Sequence, residues 1–427
     1  MGYGVWGMAI ETLYYYSVIH LSKRYYKGFM KKGEIPELGF AEFISLTAMM
    51  MSLVALSVDT MLPALSEIGR DFGVIDNNNS QLIISLFFLG MAFGQLLYGP
   101  VSDNTGRKPA IYVGYGLFIT GCVLSLVATN LYVMLAGRFL QGFGTAGPRI
   151  VSIAIVRDRY EGSAMARVMS FVMTVFIIVP IIAPALGQGL LFFAGWRAIF
   201  ASFLILALLT LVWFALRQPE TLPKEKRVPF SLKRIISTMG IIFGNRSAIG
   251  NTVTAGLVFG FFFGYLNSAQ QIFQEVYALG AAFPFYFAFL AFSIGGASLF
   301  NARFVLHHTM QSLSQRALIS ISVLSAGFFF LALWYHGHPP LWTLMAYLFA
   351  TFFGTGILFG NLNALAMESL GKIAGIGAGV VGSLSTLISI ITGTAIGQSY
   401  NGSVLPLTAG FFMLSLASLA AMRWAEK

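Results

Sequence analysis

Residues 132–153 read YVMLAGRFLQGFGTAGPRIVSI, a largely apolar run that carries Arg138 near its middle. A run of this length crosses the hydrocarbon of a bilayer as a helix. An arginine turned toward lipid in that setting costs from about 3 to about 17 kcal/mol. Arg138 is therefore expected to face protein or a wet interior, which makes this helix an inner member of a bundle.

The composition extends that reading to the whole chain. Of 427 residues, 57% are hydrophobic and 10% charged, and the mean hydropathy is +0.78. A soluble domain carries about 25% charged residues, so lipid must solvate much of this surface. Apolar runs of spanning length lie at about 40–65, 79–98, 109–129, 131–155, 165–191, 196–216, 247–274, 281–303, 316–335, 341–363, 374–399 and 404–422. The expected fold class is an all-α membrane protein with 12 transmembrane helices.

The net charge of +10 is unevenly distributed. With a cytoplasmic N-terminus, the cytoplasmic segments hold nearly all the basic residues, among them Arg107, Lys108, Arg157, Arg159, Lys224, Lys226, Arg227, Arg316 and Arg423. The opposite side holds Arg70 and Arg197. This is the positive-inside asymmetry. It orients the chain with both termini cytoplasmic and implies a lipid bilayer, not nucleic acid, as the partner of the basic surface. Cys122 is the single cysteine, so no disulfide framework is expected.

Residues 1–39 stand apart. VWGMAIETLYYYSVIH is short and interrupted by Glu11, and it lacks the basic start and cleavage site of a signal peptide. The segment reads as a loose cytoplasmic extension, or as an upstream start with Met30 the native one. After the sixth run comes RQPETLPKEKRVPFSLKRIISTM, the longest polar stretch between runs, whose later part suggests a short amphipathic helix on the inner surface. The expected organisation is a 40–217 bundle, a 218–246 linker and a 247–427 bundle with a short cytoplasmic tail. Faint similarity at a spacing of about 210 residues, such as APALGQ against GTAIGQ, favours two pseudo-symmetric six-helix halves. Duplicated halves place a substrate site between them near the midplane.

Three motifs carry a family resemblance. GPVSDNTGRKP, with Gly99, Asp103, Gly106 and Arg107, resembles the signature loop of the major facilitator superfamily, although Asn104 stands where that family usually has a basic residue. RFLQGFGTAG, with Arg138, Gln141, Gly142 and Gly144, resembles the motif of the superfamily's drug:proton antiporters. VPIIAPALGQG is similar to the antiporter motif of prolines and glycines, with Pro180, Pro184 and Gly187, but Ala183 replaces the glycine of its Gly-Pro pair. Prolines there should kink the helix into a hinge or a proton-tight seal. ALSVDTMLPAL, GWRAIF and NSAQQIFQEVYALG look like the Bcr/CflA-type branch of bacterial drug exporters. The resemblance runs from about residue 40 to the C-terminus. It implies the twelve-helix major facilitator fold and proton-coupled export of small molecules across the bacterial cytoplasmic membrane.

Asp59 is the one acidic residue well inside an apolar run. Burial opposes a carboxylate's charge and a nearby arginine favours it, a balance suited to a proton carrier. Asp59 and Arg138 are thus expected to pair, either to couple protons to transport, one proton per cycle, or to hold the helices in register as a fixed buried pair. Tyr265, Asn267, Gln270, Gln271 and Gln274 recur at helical spacing, and Asn361 and Asn363 interrupt a later run. With Gln141 they are the candidate lining of a substrate cavity, because amides donate and accept hydrogen bonds without carrying charge. Phenylalanines and the methionines Met49, Met50 and Met51 supply adaptable apolar walls.

No HExxH, cysteine pair or phosphate loop is present. No catalytic residue, metal site or cofactor is expected, and His307, His308, His336 and His338 read as loop residues. The expected function is efflux of drug-like molecules in exchange for protons by a monomer. Export of one metabolite, an amino acid or a sugar, is the alternative the same residues allow.

Overall fold

The computed structural model describes residues 38–75, 77–305 and 307–426, and Gly39–Lys427 form one compact unit. The expectation for the N-terminal extension falls almost wholly outside the described residues. In chain order the α-helices are α1 Phe40–Asp59, α2 Leu65–Asp71, α3 Leu82–Thr105, α4 Arg107–Leu126, α5 Leu131–Arg159, α6 Gly162–Ala194 and α7 Arg197–Arg217. They continue as α8 Leu232–Gly244, α9 Arg246–Gln271, α10 Phe283–Phe304, α11 Met310–Trp334, α12 Leu341–Glu368, α13 Ala374–Gln398 and α14 Leu405–Glu426. Among the described residues, twelve helical segments are long and apolar enough to cross a membrane. The twelve apolar runs each fall on one of them.

Local chemistry sets the boundaries. Pro63 has no N–H to give the carbonyl of Asp59, four residues back, and α1 ends at that residue. A 3₁₀ turn, Leu62–Ala64, then leads into α2. Gly106 (φ 104°) makes the sharp turn between α3 and α4, a conformation closed to most side chains. Asn130, Ser231, Asn245 and Thr309 cap α5, α8, α9 and α11 with side-chain oxygens.

The packing repeats. In the first half α4 packs on α5 and α7, while α1 packs on α5, α6 and α7. In the second half α11 packs on α12 and α14, while α9 packs on α12, α13 and α14. These contacts of one half thus recur at the equivalent pairs of the other. The halves meet where α3 packs on α13 and where α6 packs on α10.

The linker contains the amphipathic helix, α8. Ile235, Thr238 and Ile242 face inward, and Ile242 joins Ala366, Leu370, Val380 and Val381 of the second half. Leu232, Ile236 and Phe243 remain exposed, a face suited to the membrane boundary.

Candidate functional site

Three places concentrate the buried polar groups that bear on function: the core of the first half, the seam between halves at the end remote from the linker, and a layer around the break after α1. Arg138 belongs to the first. It is fully buried and sits 4.6 Å over the Phe87 ring. Its guanidinium donates to Ile83 O (3.1 Å), Ser57 O (3.0 Å) and Gln141 Oε1 (2.6 Å). The expected pairing with Asp59 is absent: none of the ion pairs among the described residues includes either residue. Helix α1 offers Arg138 the carbonyl of Ser57, and two backbone carbonyls with one amide satisfy the cation without a carboxylate. Gln141 is also corrected. It is fully buried and donates to Gly121 O and Ser125 Oγ, so it locks α5 to α4 and lines no cavity.

The amides of the seventh run divide by position. Gln270 donates to Ser66 Oγ and to Gln274 Oε1. Gln271 accepts from Gln81 Nε2 and donates to Asn78 Oδ1 (2.9 Å). Asn78 also donates to Gln398 O and Tyr400 O, and Gln398 donates back to Asn78 O. Gln270 and Gln271 therefore belong to an uncharged clasp between the halves, and Gln274 braces Gln270 from one turn farther along. Asn361 is corrected too, because it exchanges hydrogen bonds with Asn301 (2.8 and 3.0 Å) and ties α12 to α10. Asn363 is exposed and bonds to Phe359 O within its own helix.

The third place is the candidate site. Asp59 is 6% exposed, and no hydrogen bond or ion pair engages its carboxylate among the described residues. Helix α9, which carries Tyr265, packs on the 3₁₀ turn Leu62–Ala64 that follows Asp59. Tyr265 Oη, both amide atoms of Asn267, and the hydroxyls of Ser57 and Thr60 are buried without partners. Unpaired buried polar groups are scarce in folded proteins; these five atoms lie at the end of α1 and on α9, while others lie elsewhere, among them the hydroxyls of Tyr98, Tyr115 and Tyr400. Gly187 allows α6 to approach, since a Cβ there would lie 1.8 Å from Thr60 O. Gly397 likewise lies against Asn267. Pro180 and Pro184 sit inside α6, which runs from Gly162 to Ala194 without a break in the helix.

The signature loop is a structural knot. Arg107 pairs with Asp103 (2.6 Å) and Asp158 (2.8 Å). Glu220 of the linker accepts from the backbone N–H groups of Arg107 and Lys108 at the start of α4. Gly99 has open space where a Cβ would stand; the turn belongs to Gly106 alone.

One candidate escaped the sequence reading. Arg149 lies in α5 eleven positions after Arg138, about three turns on and hence on the same stripe of the helix. That spacing was the available signal. Among the described residues no cluster of His, Cys, Asp and Glu capable of holding a metal occurs, and Cys122 is a buried free thiol.

Comparison with known proteins agrees with this architecture. The family model of the Major Facilitator Superfamily matches residues 40–394. The bicyclomycin resistance protein homolog of Haemophilus influenzae is 31% identical over 373 residues, 86% of this chain and 91% of that protein. Multidrug resistance protein D of Escherichia coli is 26% identical over 400 residues, 89% of this chain and 95% of that one. The crystal structure of a D-xylose-proton symporter superimposes with a TM-score of 0.66 at 14% identity, covering 89% of this chain and 97% of that one. Twelve spans, repeated packing and matches over most of its length make this chain a multi-pass membrane transporter of the Major Facilitator Superfamily, related to its Bcr/CflA-type members.

Proposed function

We propose that the chain exports small drug-like molecules across the bacterial cytoplasmic membrane in exchange for protons, acting as a monomer with both termini in the cytoplasm. The relatedness to two resistance proteins supports the drug class. The observation that carries proton coupling is the solitary buried carboxylate of Asp59 among unpartnered hydroxyl and amide groups.

A carboxylate charge without a paired cation is costly to bury. As the transporter alternates, Asp59 is occluded with either a proton or a substrate group that satisfies it. Tyr265 and Asn267 stand ready to donate to the charged carboxylate or to a polar substrate. Binding one cargo releases the other, which is exchange. A potential of 100 mV then contributes about 2.3 kcal/mol per proton moved, sufficient for useful accumulation.

The test is Asp59→Asn in liposomes. Substrate-for-substrate exchange is expected to persist, while accumulation driven by an imposed pH gradient is lost. Unchanged accumulation in the variant would remove Asp59 from the coupling step. Strict transport of a single amino acid or sugar would replace the drug reading with metabolite export.

A further inference from the structure

We propose that Arg149 is the substrate-recognition group for anions, binding the carboxylate, sulfonate or phosphate of a small negatively charged cargo. The assignment rests on the export reading above and adds a substrate class to it.

Arg138 and Arg149 share one stripe of α5 and have opposite surroundings. Arg138 is fully buried and held by three acceptors. Arg149 is only partly buried, and no carboxylate pairs with it among the described residues. An acceptor beside it is Gln95. With the Gln95 amide turned to satisfy both of its ends, the oxygen accepts from Arg149 Nη1 at 3.3 Å and the nitrogen donates to Gly382 O at 3.2 Å. A guanidinium has five N–H donors, so most of its fork is left for another ligand.

The location suits a cargo. Gln95 lies on α3 against Gly379 and Gly382 of α13, so Arg149 reaches the seam along which the two halves must move. Ionisable groups inside membrane spans characteristically mark substrate paths. The planar fork matches carboxylate and phosphate oxygens in pairs. Gln95 adds a neutral amide beside it, and movement of α13 away from α3 would break the Gly382 contact and free that amide. Fixing helices in place is the work of Arg138; a second arginine on the same stripe without a carboxylate is available for binding.

The experiment uses the full chain in phosphatidylcholine liposomes, which offer no anionic headgroup as an alternative occupant, under an imposed pH gradient. Fluorescein is the anionic probe and ethidium the cationic one. Wild type is expected to transport fluorescein. Arg149→Gln is expected to lower that rate at least tenfold while changing ethidium transport less than twofold, and Arg149→Lys is expected to retain a substantial part of it. Ethidium transport by the Gln variant reports that the protein is folded. Equal loss of both probes, or loss of neither, would overturn the assignment in favour of a structural link through Gln95. Wild-type transport of ethidium alone would overturn it and leave drug export standing, whereas transport of neither probe would overturn both readings.

Discussion

Arg138 anchors three backbone and side-chain acceptors in the first half. Replacing it with alanine strands Ser57 O, Ile83 O and Gln141 Oε1, and each buried unsatisfied group costs about 1–3 kcal/mol. Arg138→Ala is expected to lower the melting temperature of the detergent-purified protein by several degrees. Arg138→Lys should recover only part, because an ammonium lacks the planar fork. A thermal melt of both variants checks this. The aversion of Arg138 to lipid was legible in the sequence; its partners were not, because backbone carbonyls leave no trace in residue identity. For the same reason Asp59 looked like the natural partner. The carbonyl of Ser57, on the same helix, took that role.

At the scale of elements, close helix approach makes sharp predictions. A Cβ at Gly187 would lie 1.8 Å from Thr60 O, forcing α6 away from the turn beside Asp59. Gly187→Ala is expected to cut transport at least tenfold and lower the melting temperature. Gly99→Ala, with nothing nearby to meet, should leave transport within twofold. Removing the cap on α4 is a second case. Glu220→Gln replaces a carboxylate that accepts from two N–H groups of the first turn, a loss of about 1 kcal/mol, read as a small fall in melting temperature with transport retained. The helices themselves were legible because apolar runs of spanning length leave few alternatives. Which face each amide presents was harder to read. Asn361 and Asn363 stand two positions apart, which is about 200° around a helix, so one ties α12 to α10 and the other faces outward. Sequence spacing gives the angle between them but not the rotation of the helix against its neighbours.

For the whole molecule, duplication was visible as a faint repeat, and the packing of each half reproduces it. The clasp was not visible, since glutamines at helical spacing look alike whether they bind cargo or join two halves. Cysteines at Gln81 and Gln271, whose long side chains meet at their tips, are expected to be joined by a bis-methanethiosulfonate linker and to stop transport, with a reductant restoring it; the native thiol of Cys122 is buried and should stay unreactive. Measuring transport before and after reduction checks this. At the other end of the molecule, the backbone of Val228 is fastened to Asp103 O (2.9 Å) on α3, while α8, beginning at Leu232, is seated on the second half. An extended chain reaches about 3.3–3.6 Å per residue, so the four steps between those anchors form a leash no longer than about 14 Å. Any swing of the halves that parts these anchors farther must first peel Val228 from its mooring, and so the span between the bundles sets the stroke of the machine.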